Sequence, residues 1–82
     1  MERVYFVQPY QRRASRMVGQ PVRACRSAEA ARRLGARMAT RFSGIVVGIQ
    51  DYDAESGRGG RPLVLAVHGS VPEDWSAAPR AA

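Results

Sequence analysis

The stretch SAEAARRLGARMATRF, residues Ser27–Phe42, decides the fold of this chain because it carries the clearest structural pattern. Ser27 is a good N-cap, since its hydroxyl can accept a hydrogen bond from a backbone N–H of the first turn. Apolar and small side chains then recur at steps of three and four residues and form one stripe along the helix. The stripe consists of Ala31, Leu34, Gly35, Met38 and Phe42. The pattern predicts an amphipathic helix that begins at Ser27 and ends near Phe42.

The residues that follow the helix predict a β-hairpin. Gly44 offers the left-handed glycine position that commonly ends a helix. Ile45–Tyr52 and Pro62–His68 are rich in β-branched residues and are separated by the turn-rich sequence DAESGRGGR. We expect them to form two antiparallel strands. Gly48, inside the first of these strands, predicts a β-bulge or a close approach to Gly35 of the helix.

The residues before the helix predict a strand, a loop and a second, shorter strand. Arg3–Gln8, which reads RVYFVQ, is dense in β-branched and aromatic side chains and predicts the first strand. Pro9 cannot donate a hydrogen bond to a strand ladder, and the polar sequence after it predicts a loop of about ten residues. Val22–Arg26 alternates apolar and basic residues and predicts a short edge strand.

These elements predict an α+β fold with one amphipathic helix packed on a small antiparallel sheet of three or four strands, in the order β-(β)-α-β-β. Residues 1–75 are expected to form a single domain. Residues 76–82 are small and proline-containing, and they predict a disordered C-terminal tail. Trp75, at the boundary between the two, could pack back onto the domain.

The apolar stripe of the helix needs a partner surface in the sheet. We expect Leu34, Met38 and Phe42 to pack against Val4 or Phe6 of the first strand and against the two later strands. The second face of the sheet then meets solvent, a partner or a second copy of the chain. The pattern therefore makes a homodimer one of the expected states.

The charge of the chain is uneven. Its 82 residues include 13 basic and 7 acidic ones, for a formal net charge of +6. Residues 1–42 hold ten arginines against two acids, which gives +8, and residues 43–82 hold three arginines against five acids, which gives −2. Every basic residue other than the histidine is an arginine, a bias that GC-rich coding alone would produce. The asymmetry still favours long-range attraction to polyanions or acidic proteins.

The arginines of the first half are the strongest functional candidates. If the loop and the helix face the same way, they form a patch that could follow a phosphate backbone or dock on an acidic protein. Tyr5 and Tyr10 are available for stacking or for an interface. The predicted partner-binding residues of this basic face are Arg12, Arg13, Arg16, Arg23, Arg26, Arg33, Arg37 and Arg41.

The residues capable of chemistry form no recognisable catalytic or metal-binding motif. Cys25 and His68 are each the only residue of their kind, and a thiol nucleophile needs a base within hydrogen-bond reach. A lone cysteine on the inward side of a strand is more often a small core residue. Asp51, Asp53 and Glu55 resemble part of a calcium loop, but the position that needs a bidentate glutamate holds a proline. We therefore predict no catalytic residue, no cofactor and no metal site.

The single cysteine also excludes an internal disulfide and favours a reducing compartment. The longest apolar run, Leu63–Val67, is far shorter than a membrane span, and the N-terminal sequence lacks the apolar core of a signal peptide. We predict a cytoplasmic protein with no membrane association.

In size and element order, a free-standing βαββ domain without catalytic residues, the chain resembles the small phage-encoded inhibitors of CRISPR effector complexes. The resemblance implies a protein that occupies a surface of an effector. Many such inhibitors are acidic, whereas this chain is basic, so the resemblance favours attachment to a protein subunit over mimicry of DNA.

The leading hypothesis is a small non-catalytic interaction protein whose basic face binds and sterically blocks or regulates an acidic or nucleoprotein partner. A mobile-element inhibitor of the anti-CRISPR type is its specific form. The first alternative is direct, arginine-mediated binding of nucleic acid. The second is an enzyme that uses Cys25 and His68.

Overall fold

The computed structural model describes residues 2–81. Within this range the chain forms one α-helix, five strands and a short 3₁₀ helix. They are β1 (Glu2–Arg13), β2 (Arg16–Gly19), β3 (Arg23–Cys25), α1 (Ala28–Met38), β4 (Gly44–Tyr52), β5 (Leu63–Gly69) and the 3₁₀ helix Glu73–Ala77. The strand order is β2-β1-β4-β5, with β3 also paired to β1, and every strand pair is antiparallel. The predicted α+β class is confirmed, although the sheet has five strands instead of three or four.

Strand β1 is the longest element, with 12 residues, and it pairs with three other strands. One side of β1 pairs with β4 from Glu2 to Tyr10. The other side pairs first with β3 and then, after a break, with β2. Pro9 lies at this break, and its carbonyl accepts a hydrogen bond from Gln20 N at 2.9 Å. Because the N–H and C=O of a strand residue point to the same side, the missing N–H of Pro9 also faces the break and costs no ladder hydrogen bond.

The prediction of a loop after Pro9 is wrong, because β1 continues through the proline to Arg13 and the chain then turns back to form β2. The two strands are joined by the turn Ala14-Ser15, in which Ala14 has the left-handed φ of 57°. Residues 10–18 contain neither glycine nor a second proline, and their polar side chains suit an exposed edge hairpin as well as a loop. The short edge strand predicted at Val22–Arg26 is confirmed as β3.

The helix begins as predicted and ends one turn early. Ser27 is its N-cap, and the Ser27 hydroxyl accepts a hydrogen bond from Ala30 N at 3.0 Å. The last helical residue is Met38, whose carbonyl accepts from the backbone N–H of both Arg41 and Phe42 in a closing turn. Gly44 does not supply the predicted left-handed end. It opens β4, where a Cβ would collide with the backbone carbonyl of Ser70.

The helix packs on one face of the sheet and buries its small side chains there. The helix-side cluster consists of Val7, Ala31, Met38, Ile45 and Val47, with Tyr5, Cys25, Leu34 and Phe42 packed around it. Val4 and Phe6 were expected in this core, but side chains alternate along a strand and these two lie on the opposite face. The prediction of which face of β1 meets the helix was therefore wrong. Tyr5 and Val7 face the helix, and Val4 and Phe6 do not.

A β-bulge interrupts the pairing of β4 with β5, as Gly48 predicted. Val47 lies opposite Ala66 and Gly48 opposite Val64, which leaves Leu65 as an extra residue on β5. Gly48 does not approach the helix. A Cβ at Gly48 would lie 2.6 Å from the ring of Phe6 on the far face.

The C-terminal segment covers that far face. The tail-side cluster of Phe6, Val46 and Val64 packs against Trp75, whose ring centroid lies 6.1 Å from that of Phe6. Trp75 Nε1 donates to the hydroxyl of Tyr10 at 2.7 Å. The sheet face expected to be open is thus partly occupied by the chain itself.

The residues beyond Trp75 run alongside β5. Val64 N donates to the carbonyl of Pro79 at 2.8 Å, and Ala81 N donates to the carbonyl of Val64 at 2.9 Å. The sequence predicts disorder for residues 76–82, whereas Ala78 packs on the tail-side cluster and Pro79 and Ala81 form hydrogen bonds with β5. Ala82 is outside the described residues.

The contact of α1 with the sheet predicts an unusual effect of alanine at Gly35. A Cβ at Gly35 would collide with Val47 Cγ2. In an exposed helix the change from glycine to alanine stabilises by about 1 kcal/mol. Here we expect Gly35→Ala to destabilise, because overpacking a core costs ~1–3 kcal/mol. Val47→Ala removes the colliding methyl group, so chemical denaturation of the two single variants and the double variant should show a coupling free energy of about 1 kcal/mol or more. A stabilising Gly35→Ala would contradict this packing.

The hydrogen bond between Trp75 and Tyr10 predicts that the tail and β1 are energetically coupled. Tyr10→Phe removes the acceptor and leaves the partly buried indole N–H without a partner, so we expect a loss of ~0.5–1.5 kcal/mol in the free energy of unfolding. In a Trp75→Phe background the same change should have almost no effect. Equal losses in both backgrounds, measured by urea denaturation followed by circular dichroism, would show that the hydrogen bond does not hold the tail.

Candidate functional site

The register of the strands decides which arginines share a face. Val7 contacts the helix, and Arg23 lies directly opposite Val7 in β3, so Arg23 is on the helix side of the sheet. Alternation along β1 puts Arg13 on that same side, and Arg16 of β2 is its direct partner. Three arginines from three strands therefore lie on the helix side of the sheet, on β1 or on the strands paired to it.

The C-terminal end of the helix adds two more arginines beside Arg23. Arg37 and Arg41 join Arg23 around a groove of about 350 Å³ between β3 and α1. Leu34, Met38 and Thr40 complete its lining. The groove thus has a basic rim and two apolar side chains.

A small hydrogen-bond network fixes the end of the helix to β1. Gln11 Nε2 donates to the carbonyl of Arg41 at 3.1 Å. Gln11 Oε1 accepts from Ser43 N at 3.0 Å and from Ser43 Oγ at 2.9 Å. Ser43 Oγ in turn accepts from the backbone N–H of Arg12 at 2.9 Å. Nothing in the sequence pattern indicated these roles for Gln11 and Ser43.

We call the resulting surface the arginine strip; its members are Arg13, Arg16, Arg23, Arg37 and Arg41. The strip follows β1 from the Val7–Arg23 pair, past Gln11 and the backbone of Arg41, to the Arg13–Arg16 pair. Six residues of strand separate its ends, which corresponds to about 20 Å. Five of the eight predicted arginines are therefore brought together.

The other three predicted arginines lie elsewhere. Arg12 is next to Arg13 in sequence but belongs to the opposite face of β1. Arg26 and Arg33 lie beside the first turn of the helix with Glu29, and Arg33 forms an i, i+4 ion pair with that glutamate. Arg32 is on the other flank of the helix, where it donates to the carbonyl of Leu65 at 3.3 Å.

The two predicted tyrosines lie on opposite faces of β1, and both are partly buried. Tyr5 packs against the helix-side cluster. Tyr10 lies on the tail side, where it packs on the tail-side cluster and accepts the hydrogen bond from Trp75. Tyr10 is thus on the face opposite the arginine strip, whereas Tyr5 shares the helix side with Arg23.

No ion pair formed by residues 2–81 neutralises the arginine strip. Among residues 2–81 the ion pairs are Arg3–Asp51 and Arg33–Glu29, and neither involves the strip. Arg3 binds Asp51 in a bidentate manner, with Nε 2.7 Å from Oδ1 and Nη2 3.0 Å from Oδ2. The hydrogen bonds and the charge of Arg3 hold the pKa of Asp51 below its ordinary value of 3.8.

The two residues considered for catalysis are far apart. Cys25 is in β3 at one edge of the sheet, and His68 is in β5 at the other, with β1 and β4 between them. Three strand spacings of ~4.8 Å put them about 14 Å apart across the sheet, and a four-residue offset along β4 adds to this. Cys25 packs against the helix-side cluster, as expected of a core cysteine.

Metal-binding groups and membrane-spanning helices are absent from residues 2–81. No three His, Cys, Asp or Glu side chains in this part of the chain are grouped closely enough to hold a metal ion. The 11-residue α1 is too short to cross a membrane, and the structure describes no longer helix.

The chain matches no protein-family model, and comparisons with curated proteins and with solved structures likewise found no match.

The bidentate pair at the end of β1 predicts a pH effect. The pKa of Asp51 should lie below the ordinary value for an aspartate, and Arg3→Gln should raise it back toward that value. Because the pKa is lower in the folded state, the stability from this pair is present above the unfolded pKa and is lost as the pH falls through the folded value. An NMR titration of the Asp51 carboxyl carbon measures the shift. Arg12→Gln, which changes a distant exposed arginine of the same strand, should leave the titration unaltered.

Proposed function

We propose that this protein is a non-catalytic interaction protein that docks its arginine strip on an acidic protein or nucleoprotein partner and blocks or regulates that partner by occupying its surface. The observation that carries the proposal is the convergence of five arginines, from three strands and the C-terminal end of the helix, on the helix side of the sheet without an ion pair among residues 2–81. Unpaired surface charge of one sign attracts and orients a partner of the opposite sign.

Apolar side chains within the strip favour a protein over a phosphate backbone as the docked surface. Val18 lies opposite Gln11, is 38% exposed, and shares the side of the sheet that carries Arg13 and Arg16. Leu34 and Met38 line the groove at the other end. A protein surface supplies apolar side chains to cover such groups, whereas a phosphate backbone supplies only charge and polar oxygens.

Direct binding of nucleic acid is the second candidate function, and the length of the strip favours it. About 20 Å spans roughly six phosphates of one DNA strand at 3.4 Å each. Without aromatic stacking this binding would depend on charge alone. It would then be weak, in the range of ~10⁻⁴–10⁻⁶ M near physiological salt, and independent of sequence.

An inhibitor of the anti-CRISPR type is one specific form of this proposal. A small domain that acts by occupying a surface needs a stable scaffold and a docking face, and it needs no reaction chemistry. A gene neighbourhood of phage genes with a helix-turn-helix regulator would support this form, and a conserved metabolic operon would argue against it.

The alternation along β1 provides a matched test of the proposed function. We expect Arg13→Gln with Arg16→Gln to weaken binding to fluorescein-labelled poly-L-glutamate about tenfold at low salt, because exposed charge pairs contribute ~0.2–1 kcal/mol each. The control is Arg12→Gln with Arg58→Gln, which removes the same charge from outside the strip. It should change the affinity less than about twofold. Fluorescence anisotropy measures both.

Two results would count against the proposal. Equal losses in the two double variants would mean that net charge, and not the strip, attracts the polyanion. Nanomolar, sequence-selective binding of a DNA duplex that survives physiological salt would make nucleic-acid recognition the primary function, since such binding exceeds what backbone contacts alone supply.

A further inference from the structure

The groove between β3 and α1 has features that a general basic surface does not need. It is about 350 Å³ in volume, within the ~300–1,000 Å³ typical of ligand sites. Its lining combines three arginines, Arg23, Arg37 and Arg41, with the apolar side chains of Leu34 and Met38. A site of this composition suits a group that combines negative charge with an apolar body.

The fold alone explains only some of these arginines. Arg37 is in the last turn of the helix, where a cation interacts favourably with the helix dipole. Arg23 comes from a different element and adds a further positive charge to the same groove. Like charges brought together repel one another, and the ion pairs formed by residues 2–81 include none that relieves this repulsion. An anion from outside the domain would relieve it.

The walls of the groove are held in place before any ligand binds. The backbone of β3 is fixed by its pairing with Tyr5–Val7, and Met38 is buried in the helix-side cluster. The carbonyl of Arg41 is held by Gln11. Binding therefore requires ordering of the arginine side chains only, and preorganisation of this kind favours affinity.

We propose that this groove recognises an acidic peptide segment in which one large apolar side chain is flanked by aspartate or glutamate. The apolar side chain packs on Leu34 and Met38, and the flanking carboxylates accept hydrogen bonds from Arg23, Arg37 and Arg41. Guanidinium groups bind carboxylates in bidentate geometry, which gives direction as well as charge. The inference rests on the proposed function and adds a sequence preference to it.

Two fluorescein-labelled, C-terminally amidated peptides that differ in one residue test this proposal. Both have the core Asp-Asp-X-Asp-Asp, with X either leucine or serine, so their charge is the same. Fluorescence polarisation near physiological salt should show the leucine peptide binding about tenfold more tightly, because burial of a leucine side chain contributes at least that factor. Leu34→Ser should abolish the preference, and thermal denaturation shows whether this variant is folded.

Exposed arginines keep the proposal testable if Leu34→Ser does not fold. Arg23→Gln should lower the affinity for the leucine peptide about fivefold. Arg26→Gln, which changes an arginine three residues further along the chain and outside the groove, should change this affinity less than twofold. Arg13→Gln with Arg16→Gln should lower both peptide affinities and leave their ratio unchanged.

The outcomes separate this inference from the proposed function. Equal binding of the two peptides, with sensitivity to Arg13 and Arg16, would contradict the peptide site proposed for the groove. It would leave the proposed docking through the arginine strip unaffected. Equal effects of Arg23→Gln and Arg26→Gln would also overturn the groove. Failure of both peptides and of poly-L-glutamate to bind would overturn the proposed function as well.

Discussion

The alternation of side chains along β1 is the constraint on which the rest of this structure depends. β1 is the strand to which β2, β3 and β4 all pair, so each neighbour inherits its register. Val7 points to the helix and Phe6 to the C-terminal segment. A slip of one residue would exchange the two faces, and it would also move Arg13 away from the helix side. The core and the charged surface are therefore set by the same register.

Small residues allow both faces of this sheet to be covered in a chain of 82 residues. Gly35 and Ala31 let the helix backbone come close to Val47 and Ile45. On the other face Gly48 leaves room for the ring of Phe6. The bulge at Leu65 then brings consecutive residues of β5 toward the helix, since both Leu65 and Ala66 pack on the helix-side cluster. The helix, the sheet and the C-terminal segment form three layers, and they leave few large apolar side chains exposed among residues 2–81.

The sequence predicts those elements whose signals are local. The cap at Ser27, the apolar stripe of α1, the pair β4–β5 and the edge strand at Cys25 all follow from short-range patterns, and the structure bears them out. The faces of β1 were not predictable in this way. The run Val4–Val7 is apolar or aromatic throughout, so alternation defines two faces but not which of them meets the helix.

The basic surface was predicted only in part, for a related reason. If residues 10–19 are interpreted as a loop, the sequence does not determine the directions of the Arg12 and Arg13 side chains. Read as a hairpin, they put the two arginines on opposite faces. The C-terminal segment was missed because its contacts with Phe6, Tyr10 and Val64 are long-range, and composition alone indicates nothing about them.

The placement of the unpaired arginines limits how they can contribute to specificity. Exposed charges are screened beyond ~8 Å at physiological ionic strength, so the outer arginines, Arg13 and Arg16, mainly affect the rate and orientation of approach. Charge-assisted hydrogen bonds are stronger and more directional where water is partly excluded. Within the strip, the groove is where apolar side chains, those of Leu34 and Met38, line the same space as guanidinium groups. If the proposed function holds, discrimination between acidic partners would fall to the end of the strip where charge and apolar surface are in contact.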